Sequence, residues 1–246
     1  PAAVAGSVPF LVGSVITAAV ALWICSRLTP LSITFSPGAM TRLLLPTIPL
    51  GVTLISNVVY AHADSVILAL TRPSAEVGTY GFAYRIFETI LVIPTFFMNA
   101  TYPLLLRQKI YSVDFIRLIK RSCIFLVSIS IIVCIVVWAA APYVIYVKSD
   151  FAASIVYIRI LALSLPLFFV SSLVMWVLIT LKRQWVLAGL YTTGMVLNIL
   201  LNVWLIPSGG AIAAAWITLA SEGFILAVSG MVLLRYIQLH RNSTVS

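Results

Sequence analysis

Apolar residues run through this chain in blocks of about twenty, and polar residues return mainly at the block ends. Stretches at about 4–25, 43–70, 78–105, 122–147, 154–181, 184–206 and 210–235 each fit the roughly 20 mostly apolar residues that a helix needs to cross a bilayer. The pattern predicts an all-α fold, a polytopic membrane helix bundle of about seven transmembrane helices. Most connections are short, so neighbouring helices should pack antiparallel. The longest polar stretch is RQKIYSVDFIRLIKRS, 107–122. Its Ile110, Val113, Phe115 and Leu118 among basic residues read either as an amphipathic connector on the inner membrane surface or as an ordinary topology-setting loop.

Within the blocks, the polar positions fall into stripes. At 100° per residue, Thr53, Asn57, Tyr60 and Asp64 lie within about 60° of one another on the second span, with His62 well off that line. Tyr80, Tyr84, Glu88, Thr95 and Asn99 share a face of the third, with Arg85 at its edge beside Glu88. Tyr191, Asn198 and Asn202 align on the sixth, and Thr218, Glu222 and Ser229 on the seventh. Polar side chains in spans almost always face the bundle interior or a wet cavity, so four striped helices predict a shared water-accessible cleft. Pro46 and Pro49 open the second span, while Pro94 and Pro166 sit near the middle of the third and fifth, where kinks are expected.

Composition agrees with the pattern: 62% of residues are hydrophobic and 9% charged, against about a quarter charged in soluble domains. A net charge of +9 would suggest nucleic acid in a soluble protein, but its placement argues otherwise. Eleven of the fifteen basic residues fall on alternate loops, from Arg27 and Arg42, through Arg107, Lys109, Arg117, Lys120 and Arg121, then Lys182 and Arg183, to Arg235 and Arg241. This positive-inside pattern puts the start of the chain outside and its end in the cytoplasm, and excludes nucleic acid as the reason for the charge. The other connections carry Arg72 balanced by Glu76, Lys148 balanced by Asp150, and an uncharged PSGG at 207–210.

Cys25, Cys123 and Cys134 lie in or at the ends of spans and give neither a disulfide framework nor a metal-ligand cluster. The sequon Asn242-Ser243-Thr244 falls in the cytoplasmic tail. The chain begins at Pro1 without a signal peptide and reads as the later part of a longer protein. There is no Gly-rich phosphate loop, zinc spacing or serine-hydrolase elbow, so no enzyme site is read from the chain and no cofactor or metal is expected.

The ionisable residues at depth are Asp64, Arg85, Glu88, Arg159 and Glu222. One reading has Asp64 or Glu88 neutralising Arg85 and tying helices together. In another, Arg85 grips an anionic group, because its fork matches phosphate. In a third, a carboxylate takes up a proton and couples transport to a gradient. Arg159 is expected to snorkel to the outer edge and His62 to make a helix contact. Trp138, Trp176, Trp185, Trp204 and Trp216 read as an interfacial belt, whereas Tyr60, Tyr80 and Tyr84 share polar faces and can stack on sugar.

Three segments carry a resemblance: RLLLPTIPLGVTLISNVVYAHADSVIL, EVGTYGFAYRIFETILVIPTFFMNATYPLL and LNILLNVWLIPSGGAIAAAWITLASE. Over residues 42 to about 235 the chain resembles the second lobe of polysaccharide-biosynthesis flippases, within the multidrug/oligosaccharidyl-lipid/polysaccharide exporter superfamily. The resemblance implies that 1–26 is the last helix of a preceding lobe, 27–41 a cytoplasmic linker, 42–236 a six-helix C-terminal lobe and 237–246 a cytoplasmic tail. It implies translocation of an undecaprenyl-diphosphate-linked oligosaccharide (an O-antigen, capsule or exopolysaccharide repeat unit) across the bacterial inner membrane by alternating access. Partners would be that lipid-linked oligosaccharide, membrane lipid, glycosyltransferases, a polysaccharide polymerase and an N-terminal lobe in the same or a partner chain. In this reading a wet, cationic cleft between the lobes holds the substrate. Arg85 attracts the diphosphate, while Tyr60, Tyr80, Tyr84, Asn57, Asn198 and Asn202 meet the sugars. Asp64, Glu88 and Glu222 couple an ion or tie helices, Asp64 facing the cleft near Arg85. The alternatives are a multidrug or peptidoglycan-precursor exporter of the same superfamily and, from another class, a seven-helix receptor. A membrane-embedded enzyme comes last.

Overall fold

A computed structural model describes residues 2–28, 37–146 and 149–242. Part of the linker (29–36), Lys148 and the last two residues of the sequon lie outside them. Among the described residues every regular element is helical: α1 (Ala2–Leu28), α2 (Pro37–Thr71), α3 (Ser74–Ile90), α4 (Val92–Arg107), α5 (Val113–Ala140), α6 (Ser154–Thr180) and α7 (Gln184–Asn242), with 3-10 turns at Ala141–Tyr146 and Ser149–Phe151. Five stretches are long and apolar enough to cross a membrane, at Leu44–Thr71, Ser74–Arg107, Val113–Tyr146, Ser154–Thr180 and Gln184–Leu239; a shorter apolar helix covers Val12–Leu28. The chain is a multi-pass helical membrane protein. It divides into two compact units, Pro1–Leu45 and Pro46–Ser246. In the first, the α1 side chains from Val12 to Leu28 are all exposed.

The second unit is organised around α6, which packs against α3, α4, α5 and α7. Its sequence is apolar on every side, the pattern of a helix enclosed by others. Leu161, Leu165, Phe169 and Leu178 are inaccessible or nearly so, and Met98, Leu105, Phe115, Leu126 and Leu187 complete the core around them. By contrast α5 turns Ile124, Ile131, Ile132 and Ile135 outward, as a lipid-facing helix does.

Two expected spans form a single element. α7 is a helical hairpin whose arms, 184–209 and 211–242, meet at Gly210 (φ 58°, ψ −149°). The arms lie against each other: a methyl group added at Gly194 would come within 2.6 Å of the Ile225 side chain. The third expected span is broken into α3 and α4 at Leu91. Pro94 explains the position, since its ring clashes with the carbonyl four residues back, at Ile90. Pro166 has no such effect, and α6 runs through it. Pro46 and Pro49 lie inside α2, in the first turns of its apolar span Leu44–Thr71.

The 107–122 stretch is not a separate surface helix. Only 108–112 is non-helical, and Val113 onward belongs to α5, with the Ser112 hydroxyl accepting from the Phe115 N–H at 3.1 Å. At 28 residues α5 is about 42 Å long, more than the roughly 30 Å of hydrocarbon, so its basic first turns can project past the apolar layer. Between α6 and α7 the turn closes as a Schellman motif: Arg183 N–H donates to Leu178 O at 3.0 Å and Lys182 N–H to Ile179 O at 2.9 Å. Lys182 takes the left-handed conformation (φ 57°) usually given to glycine.

Candidate functional site

The polar stripes converge. A cavity of about 380 Å³ opens among α2, α3, α4, α6 and α7. From the expected stripes it is lined by Asn57 and Tyr60, Tyr84 and Glu88, Thr95, Tyr191 and Asn198, and Thr218 and Glu222. The break at Leu91 lies on its wall together with Val92 and Pro94. Interrupted helix at membrane depth is tolerated where it borders protein or a polar cavity.

Hydroxyls bind α2 to its neighbours across this space. Tyr60 donates to Glu222 Oε2 at 3.1 Å, Tyr84 donates to the Ala61 carbonyl, and the Ser56 and Thr192 hydroxyls meet at 3.0 Å. On α7, Asn198 Nδ2 donates to Ser221 Oγ at 3.2 Å and its Oδ1 accepts from Asn202 Nδ2 at 2.7 Å. Asn202 is completely buried behind the wall and acts through Asn198.

Other residues stand elsewhere than expected. Asp64 is 2% exposed and is not on the cavity wall; it accepts from the Tyr80 hydroxyl and from Ser65 N–H. Tyr80 is likewise buried behind the wall. The pair is a tie between α2 and α3, formed because a carboxylate withdrawn from water needs donors close by. Arg85 is also outside the cavity. Its side chain is 82% exposed, and Nη1 lies 3.4 Å from Glu88 Oε2, so its acidic neighbour is Glu88 and not Asp64. His62 is exposed on the same side, with Nδ1 3.9 Å from Glu88 Oε1. Arg159 does not simply snorkel: its guanidinium stacks over the Trp138 ring at 4.3 Å. This cavity within the second unit is not cationic, and it is not the cleft expected between two lobes. Among the described residues two carboxylates, and no lysine or arginine, reach its wall.

Phe168, Ser171, Ser172 and Met175 of α6 also line the cavity and were missing from the stripes. Their spacing of three and four residues was a signal, but it is hidden in a helix whose other faces are equally apolar. A second missed feature is a clip at one end of the bundle. Glu76 accepts from Arg72 Nε through Oε2 and from Ala211 N–H through Oε1, both at 2.8 Å, and Arg72 reaches the Pro207 carbonyl at 3.4 Å. The carboxylate thus caps the second arm of α7. Ser154 Oγ donates to Thr79 O at 2.8 Å near the same end, where α3 and α6 begin.

The Asp64–Tyr80 tie sets an expected result. In a double-mutant cycle with Asp64→Asn and Tyr80→Phe, unfolding in detergent should give a coupling of about 0.6–1.7 kcal/mol, the range of interhelical hydrogen bonds in membranes. Asp64→Asn alone should lower stability, because the amide is a weaker acceptor for the Tyr80 hydroxyl. An Asp64→Asn protein as stable as wild type would show that the tie contributes nothing.

Comparison with known proteins follows the same direction. Residues 1–109 match the model of a family described as polysaccharide biosynthesis protein. The match is consistent with the polysaccharide-biosynthesis flippase family that the sequence resembles. No curated protein matches the chain, and no solved structure matches it.

Proposed function

We propose that the second unit is the C-terminal lobe of an exporter that carries an undecaprenyl-diphosphate-linked oligosaccharide across a bacterial inner membrane by alternating access. The observation that carries this reading is the cavity: hydroxyl, amide and carboxylate groups are gathered inside a bundle whose outer surface is apolar. A glycan head group cannot cross hydrocarbon without such a surface, whereas its prenyl chain can stay in the bilayer. At 380 Å³ the cavity lies at the small end of ligand sites, about 300–1,000 Å³, enough for part of a glycan at a time. Asn57, Tyr60, Tyr84, Tyr191 and Asn198 meet sugar, and Arg85, outside the cavity beside Glu88, meets the diphosphate. Tyr80 and Asn202 support this wall from behind. A preceding lobe, in the same or a partner chain, completes the path. Glycosyltransferases supply the substrate and a polymerase consumes the product. The chain starts outside and ends in the cytoplasm.

Filling the cavity tests the reading. Ser172→Phe should leave the protein inserted but stop surface polysaccharide, with lipid-linked oligosaccharide accumulating on the inner leaflet. Normal polysaccharide with Ser172→Phe would overturn it. The acidic wall favours one alternative, an exporter of organic cations; loss of resistance to such compounds with unaltered polysaccharide would identify it.

A further inference from the structure

The charge on the cavity wall is opposite to what a phosphate needs, and its two carboxylates are not equivalent. Glu88 has basic neighbours outside the wall, Arg85 at 3.4 Å and His62 at 3.9 Å. Glu222 has none within ion-pair distance among the described residues. It accepts from the Tyr60 hydroxyl at 3.1 Å, and the Ser171 hydroxyl stands beside it without a hydrogen bond of normal geometry. A second observation points to a ligand. Tyr191 is 7% exposed and lines the cavity, yet its hydroxyl has no hydrogen-bond partner among the described residues. Tyr191 is thus held by packing while its hydroxyl is left open to the cavity, where an entering group can meet it, and the Ser171 hydroxyl beside Glu222 is fully buried and unpaired.

A carboxylate among phenol rings is suited to an alkylammonium ion. The carboxylate supplies opposite charge and the ring faces supply negative quadrupole, while the hydroxyls accept N–H bonds. A cation also favours the ionised form of the acid it approaches. A phosphate would be repelled, and a neutral sugar would leave Glu222 without a counter-charge.

We infer that the cavity takes an ammonium-bearing group, seated against Glu222 and enclosed by the rings of Tyr60, Tyr84 and Tyr191. This rests on the cavity being the substrate site and names the chemistry of what enters. The ammonium comes from an unacetylated amino sugar of the carried glycan or from a free organic cation.

Saturation-transfer NMR on the full chain in nanodiscs separates these cases, with glucosamine, N-acetylglucosamine, glucuronate and tetraethylammonium as probes. Glucosamine should bind about tenfold or more tightly than N-acetylglucosamine, and Glu222→Gln should erase that preference. Tetraethylammonium should displace glucosamine from the wild-type protein and glucuronate should not, a comparison that needs no variant. If tetraethylammonium binds and glucosamine does not, the ammonium site stands, its source is a free cation, and the glycan reading falls. Equal binding of glucosamine and N-acetylglucosamine, or full preference retained by a folded Glu222→Gln protein, overturns the inference. No cation binding in a protein that still exports polysaccharide overturns it and leaves the proposed function intact.

Discussion

Gly210→Ala is expected to destabilise the second unit by about 2–5 kcal/mol, through backbone strain together with a lost charge-assisted hydrogen bond. Both parts arise at one position. Gly210 has φ 58° and ψ −149°, a region that residues with a Cβ avoid. The added methyl carbon would also lie 2.2 Å from Glu76 Oε1, and 3.1 Å from Arg72 Nη2. The carboxylate would have to leave Ala211 N–H, uncapping the second arm of α7 and releasing the clip that joins 72–76 to 207–211. Denaturant unfolding in detergent measures the loss. Glu76→Ala removes the cap without the strain, so it should cost less, and the double variant should fall short of the sum because both changes break the same bond. A Gly210→Ala protein as stable as wild type would show that the clip contributes nothing.

Arg85→Ala is expected to abolish surface polysaccharide while membrane insertion and protein level stay unchanged. An exposed arginine next to an acid often serves only to balance it, and Glu88 at 3.4 Å is such an acid. The two roles give different results in the Arg85→Ala/Glu88→Ala double variant. If Arg85 merely neutralises Glu88, removing both restores export; if it holds a diphosphate, the double variant stays inactive. Arg85→Lys should retain partial activity, because ammonium keeps the charge but not the two-pronged geometry. Normal polysaccharide from Arg85→Ala would remove the residue from the mechanism.

The positions that form the cavity show how much a helical period can carry. Asn57, Tyr60, Tyr84, Glu88, Tyr191, Asn198 and Glu222 were legible because each lies on a stripe, and a stripe in a membrane helix has few places to face except inward. Asp64, Tyr80 and Asn202 lie on the same stripes but end behind the wall. Periodicity fixes the direction in which a side chain leaves its helix. It does not fix how near the neighbouring helix comes, and a close neighbour turns a lining group into a buried tie. The contribution of α6 was missed for the opposite reason, since a helix apolar all round shows no stripe at Ser171 and Ser172.

By itself, the sequence determined that this is a multi-pass helical membrane protein and which faces of its helices are polar, because a bilayer demands long apolar helices and expels polar side chains from lipid. Only the tertiary structure decided the sign of the cavity. Arg85 and Glu88 are three residues apart in sequence, yet helix crossing leaves the arginine in the open and brings Glu88 and Glu222 to one wall. Which charges share a space depends on packing between helices, and no local pattern encodes that distance.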